Sequence, residues 1–172
     1  MKNINITIKG ISPLLMNSFS IDGEKTDKLP PVEQCQKKLY LTPEGECYIP
    51  ATNFIRAVIS AAKFHKKGRA SRTNDVAAAL TTTNEYGIVK TPWVVDTRSV
   101  VVPATKGRIV RHRPRFDTWE VAFEFIYDDS MFSEKEIYAI FEDAGSKIGI
   151  LDFRPEKKGS LGKFIITNWE VN

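Results

Sequence analysis

The residues of this 172-residue chain best suited to chemistry are its cations, and they are gathered rather than scattered. Arg111, Arg113 and Arg115 recur at every second position. In an extended segment that spacing puts the three side chains on one side at intervals of about 6–7 Å, close to the phosphate spacing of an extended single strand. Arginine suits phosphate because its planar fork makes bidentate contacts and keeps its charge. The competing use of such a row is cross-strand pairing with Glu120 and Glu124.

The wider charge pattern points the same way. The window Arg56 to Arg72 holds Arg56, Lys63, Lys66, Lys67, Arg69 and Arg72 with no acid, for a charge of +6. The window Arg98 to Arg115 holds Arg98, Lys106, Arg108, Arg111, Arg113 and Arg115, with His112 among them, for another +6. The whole chain is only +4, so the remainder sums to −8. Segregated positive charge on an acidic body is the footprint expected for a polyanion ligand.

A third segment of interest joins the last helix to the last strand. Between residues 145 and 164 it carries Gly145, Gly149, Gly159 and Gly162 together with Lys147, Arg154, Lys157, Lys158 and Lys163. Glycine permits close backbone approach, and successive amides can cradle phosphate oxygens. The segment fits neither a Walker loop nor a dinucleotide fingerprint, so nucleotide hydrolysis is not indicated. Cys35 and Cys47 are the only cysteines, and with His65 and His112 they form no metal-ligand spacing; no cofactor or metal is expected.

These groups must be positioned by a core, and 42% apolar residues suffice for one domain spanning 1–172. No apolar stretch approaches the roughly 20 residues of a membrane helix. The start alternates polar and apolar residues instead of carrying a signal peptide's apolar run, so the expected setting is the cytoplasm, with no membrane partner. Ile4, Ile6 and Ile8 predict a half-buried strand. Residues 11–31 lack periodicity and read as a long exposed loop. A short helix is expected over 32–39, and a small hairpin around 42–46. Thr52 or Asn53 can cap a helix whose Phe54, Ile55, Val58, Ile59 and Ala62 share a face. Residues 73–84 read as an alanine-rich helical turn closed by threonines.

Beyond it, residues 84–115 form a β-rich insertion broken by Pro92 and stopped by Pro114. Trp119, Phe123, Phe125 and Tyr127 line one face of a strand whose other face carries Glu120 and Glu124, which makes the aromatic row core rather than a base-stacking platform. Ser133 and Glu136 form a capping box before a helix with Ile137, Ile140, Phe141, Ala144 and Ile148 inward. Phe164 to Val171 is the last strand. The major elements run βαββαβ, the order of an α+β ferredoxin-like fold, an antiparallel sheet with helices on one face and insertions.

On this frame the chain resembles the RAMP superfamily, the RNA-binding proteins of CRISPR systems. The glycine-rich connection from last helix to last strand is similar to theirs, through Asp152-Phe153-Arg154-Pro155 and Gly159 to Phe164. Gly10-Ile11-Ser12-Pro13-Leu14-Leu15 is similar to the family's opening, and residues 47–56 resemble the start of its first helix, with Ala51 where the family carries glycine. The resemblance implies a compact, single-domain member of phage or provirus type, akin to the subunits that line a guide RNA. It implies single-stranded RNA or DNA bound along a basic groove, RNA before DNA, in a homo-oligomer or filament.

Three functions follow as expectations. The first is non-catalytic single-strand binding. The basic strips named above, from Arg56 to Arg72 and from Arg108 to Arg115, would contact phosphate together with Lys147, Gly149, Arg154, Lys157, Lys158, Gly159 and Gly162 of the loop. The second is a phage-encoded protein–protein module that imitates an effector subunit against a host partner. The third is a metal-independent ribonuclease. Some relatives cleave RNA with a histidine or with an aspartate after the first strand, which would fall here to His65, His112, Asp22 or Asp27.

Overall fold

The alternation at the N-terminus becomes β1 (Lys2–Gly10), with Ile4, Ile6 and Ile8 fully buried and Asn3, Asn5 and Thr7 on the opposite face. The computed structural model describes residues 1–19 and 25–172. After β1 come β2 (Leu14–Leu15), α1 (Pro31–Gln36), β3 (Tyr48–Pro50), α2 (Ala51–Ala61), β4 (Lys66–Lys67), β5 (Ala70–Ser71) and α3 (Thr73–Ala79). The chain continues through β6 (Leu80–Thr82), β7 (Tyr86–Ile88), β8 (Val94–Val101), β9 (Arg108–Phe116), β10 (Glu120–Tyr127), α4 (Glu134–Asp143) and β11 (Phe164–Val171).

The main sheet has the order β11-β1-β10-β6 and is antiparallel throughout. With α2 between β1 and β6 in the chain and α4 between β10 and β11, this is the ferredoxin-like βαββαβ order expected from the sequence. Its second strand was not where the pattern suggested. β6 has three residues, pairs Leu80–Thr82 with Phe125–Tyr127, and falls in the segment read as the end of a helical turn. Three residues are too few for a period to register.

The helices bury one face of this sheet. Phe54 of α2 sits at the centre, with ring centroids 4.9 Å from Phe123, 5.4 Å from Phe125, 5.6 Å from Phe141 and 5.4 Å from Phe164. Trp119, Phe123, Phe125 and Tyr127 are all buried, so the aromatic row is core. Register puts Asn5 between Glu124 and Glu170 on the open face, and Lys9 beside Glu120. That face is polar and acid-rich, unlike the aromatic platform of an RNA-recognition module.

Local signals were mixed in outcome. The Ser133–Glu136 capping box is formed in both directions. Helix α2 instead starts directly after Pro50, without a side-chain cap from Thr52 or Asn53. Residues 14–16 are not an exposed loop: Leu14, Leu15 and Met16 are fully buried because β2 pairs with Phe116 and Arg115 of β9. Strand β9 also runs through Pro114 to Phe116, and the Pro114 carbonyl accepts the Met16 amide at 3.0 Å. With β8 it forms a separate three-stranded sheet, the structural form of the predicted insertion. Asp22 and Gly23 lie outside the described residues.

Candidate nucleic-acid interface

Helix α2 turns Phe54, Ala57, Val58 and Ala61 inward, which leaves Arg56 exposed on its outer side. A further 3-10 turn, Ala62–Phe64, carries Lys63 and leads into the β4–β5 hairpin. Gly68 turns that hairpin at φ +65°, a conformation open to glycine at little cost. Lys66, Lys67 and Arg69 are exposed on it.

Both stems of the hairpin are tied to α4. At one, His65 Nε2 lies 3.0 Å from Asp143 Oδ2. At the other, Arg72 reaches Glu136 Oε1 at 2.8 Å, the Met131 carbonyl at 2.8 Å and Asp75 at 3.3 Å, with its guanidinium 3.7 Å from the Phe132 ring centroid. Arg72 is therefore buried in structural contacts and corrects the expectation that it meets phosphate. Its role is to hold the cationic tip out from a rigid base.

The connection from α4 to β11 lies against α2. Arg56 and Asn53 share a cavity of about 410 Å³ with Arg154 and Glu156. Arg154 donates to Glu156 at 2.8 and 3.1 Å and to the Leu151 carbonyl at 2.9 Å. Lys147 bonds Asp143 at 2.8 Å, and its ammonium lies 4.7 Å from the Phe64 ring, which Lys63 also approaches at 5.2 Å. Lys157 and Lys158 are exposed beyond Glu156.

The phosphate cradle expected of the loop glycines is not what this segment builds. Its amides are already bonded within the protein: Gly149 to Ala144, Ile150 to Gly162, Gly159 to Arg154, Leu161 to Phe153 and Gly162 to Pro13, all at 2.8–3.0 Å. The glycines are there for space. A Cβ on Gly159 would lie 1.8 Å from the Phe153 oxygen, and one on Gly162, which also has φ +70°, 2.0 Å from the Ile150 oxygen. Gly149, Gly159 and Gly162 are thus packing residues.

The second arginine strip has Arg111, Arg113 and Arg115 on one side, as their spacing predicts, but these three and Arg98 are neutralised. Arg113 pairs with Asp152, Arg111 with Asp27, Arg115 with Asp96 at 3.0 Å and Asp117 at 2.7 Å, and Arg98 with Asp96 at 2.6 Å. Glu120 and Glu124, the pairing partners considered from sequence, take no part. Arg113 is 8% exposed, and its Nε and one Nη have no partner among the described residues. His112 shares a 2.9 Å contact with Thr97.

Asp96 is 4% exposed. Burial pushes its carboxyl up, but hydrogen bonds and charge from Arg98 and then Arg115 outweigh that and hold it below its ordinary value. Asp96 and Asp117 stand just outside the acid-free window, where strand alternation could have placed them. Asp27 and Asp152 are distant in sequence, and no local signal announces them.

Among the described cations of the two strips and the last connection, Arg56, Lys63, Lys66, Lys67, Arg69, Lys106, Arg108, Lys157, Lys158 and Lys163 have no ion-pair partner. Most of them belong to the α2 end, its hairpin and the neighbouring loop. The sequence reading also missed Phe153, which is 41% exposed at φ +55° with the Arg98 guanidinium 4.9 Å from its ring centroid.

The class defined by these features is an α+β ferredoxin-like protein with an inserted β-hairpin and a cationic edge. No protein-family model matches the chain, and no curated protein matches it significantly. Among solved structures, it is similar to a chain from the cryo-EM structure of the Type III-B Cmr-beta bound to cognate target RNA, with a TM-score of 0.57 at 11% identity. The alignment covers 99% of this chain and 60% of the other, so this chain spans somewhat over half the length of that neighbour. At the level of fold, this agrees with the resemblance carried by the sequence.

Proposed function

We propose that this protein binds single-stranded nucleic acid without cleaving it, RNA before DNA, through phosphate contacts along the α2 edge. The observation that carries the reading is the group of unpaired cations Arg56, on the outer side of α2, and Lys66, Lys67 and Arg69, on a hairpin whose two stems are pinned to α4. Held charges of one sign on a rigid base favour polyanion contact, because little side-chain and loop ordering is left for binding. The RNA-bound complex that supplies the structural neighbour supports RNA over DNA.

Fluorescence anisotropy with labelled single-stranded RNA and DNA at two salt concentrations tests this. Binding that weakens with salt and is markedly weaker in a Lys66→Ala/Lys67→Ala/Arg69→Ala variant supports it. No binding at low salt would sink it. Intact probe after incubation counts against the ribonuclease reading.

One observation favours a second reading, the protein–protein module. The β8–β9 hairpin exposes Val94, Val101 and Val110 at 44%, 56% and 59% beside ion-paired arginines, a surface better suited to a protein than to phosphate. It would bind a host or phage protein with little salt dependence.

A further inference from the structure

We infer that Phe153 is a stacking site for an unpaired nucleobase of the bound strand, an inference that rests on the proposed function and gives it a contact to a base. A singly exposed apolar residue ordinarily needs no explanation. Phe153 differs, because its backbone is held where bulky side chains rarely go. Leu151 and Phe153 lie at φ +59° and +55°, two of the four described non-glycine residues with positive φ. Leu151 gains burial from this, at 8% exposed, whereas Phe153 stays 41% exposed, so core packing does not account for it.

Strained conformations of this kind persist when the surroundings over-determine them, and they cluster at functional sites. Here the surroundings do so. The Phe153 carbonyl accepts the Leu161 amide at 3.0 Å, the Asp152 amide bonds Leu15 at 3.1 Å, and the Asp152 carboxylate pairs with Arg113. Gly159 leaves room for the Phe153 oxygen that no other residue could leave.

The ring is also flanked by fixed charge. Arg98 lies 4.9 Å from its centroid and is itself clamped by Asp96 at 2.6 and 3.2 Å. With the guanidinium over one face of the exposed ring, the opposite face is the one a base would stack on, and any base suits it because every base has a π-face. Lys157 and Lys158, exposed a few residues further along the chain and without ion-pair partners, supply cations for the flanking phosphates.

The test compares wild type, Phe153→Ala, Phe153→Leu and Phe153→Tyr by anisotropy. The probes are a labelled single-stranded oligoadenylate RNA and a strand of equal length built from abasic units. Phe153→Ala and Phe153→Leu should each lose about tenfold or more in affinity for the base-bearing strand, while Phe153→Tyr retains it. Neither loss should appear on the abasic strand, and the salt slope should stay unchanged, because stacking releases no counterions. The leucine variant keeps the apolar bulk, so the comparison holds even if the alanine variant unfolds. Equal losses on both strands, or no loss on the base-bearing one, would overturn the inference while the proposed function stood. Failure of the wild type to bind any strand would remove both.

Discussion

The carboxylate of Asp152, in the connection before the last strand, pairs with the buried guanidinium of Arg113 in the inserted hairpin. This pair ties the loop to the second sheet, with Arg113 only 8% exposed and two of its nitrogens without a partner among the described residues. Removing one member of such a pair leaves an uncompensated buried charge.

Asp152→Ala is therefore expected to destabilise the protein by about 3 kcal/mol, the low end of the range for breaking a buried pair, because Asp152 itself is partly exposed. Arg113→Met in the same background should recover part of the loss by removing the orphaned charge. Urea denaturation of the single and double variants reads both effects. An additive double variant would show that the two residues are not coupled.

Gly159→Ala and Gly162→Ala should each lower Tm by several degrees, because the added methyl would meet a backbone oxygen at 1.8 or 2.0 Å. Gly68→Ala meets nothing within 4 Å and carries only the left-handed penalty of about 1 kcal/mol. Thermal melts of the three variants check the order. A loss at Gly68 as large as that at Gly159, which has no positive φ, would mean that crowding does not set the effect.

Asp96 gives a pH dependence with a defined sign. Its native carboxyl lies below the ordinary 3.8, so its contribution is complete above that value and is lost as pH falls through the lower native one. Glu136 is lowered in the same way by the hydrogen bonds of Ser133 and the charge of Arg72. The urea midpoint should hold level from about pH 7 to 5 and fall below about pH 4. Asp96→Asn should be less stable at neutral pH and shallower in its acid fall, which equilibrium unfolding across that range would reveal.

The two cationic strips should differ in their response to salt. Removing Lys66, Lys67 and Arg69 should reduce the slope of log affinity against log salt by about 2, at about 0.7 per phosphate on a single strand. Removing Arg111 and Arg115, which have carboxylate partners, should change it far less. Titrations at several salt concentrations decide this. The opposite ranking would move the interface to the inserted hairpin.

How much of this was legible in the residues depended on the range of the interaction concerned. Ile4, Ile6 and Ile8, the aromatic row from Phe123 to Tyr127 and the Ser133–Glu136 box were readable because strand alternation and capping are set within a few neighbours. They suffice for β1, β10 and α4 and for the burial of the aromatics. Strands β2 and β6 are two and three residues long and exist only through their partners β9 and β10, so no period in the chain marks them.

The site divides in the same way. Clustering of Arg56 through Arg69, and of Arg108 through Arg115, is plain in the sequence, as is the glycine content of the last connection. Which of these charges remain available is a property of the folded chain. Asp152 and Asp27 arrive from distant segments to neutralise Arg113 and Arg111, while Asp143 and Glu136 take His65 and Arg72 and leave the hairpin tip charged. A formal charge is counted along the chain, but its pairing depends on separations of about 3 Å, and those are set by residues tens of positions away.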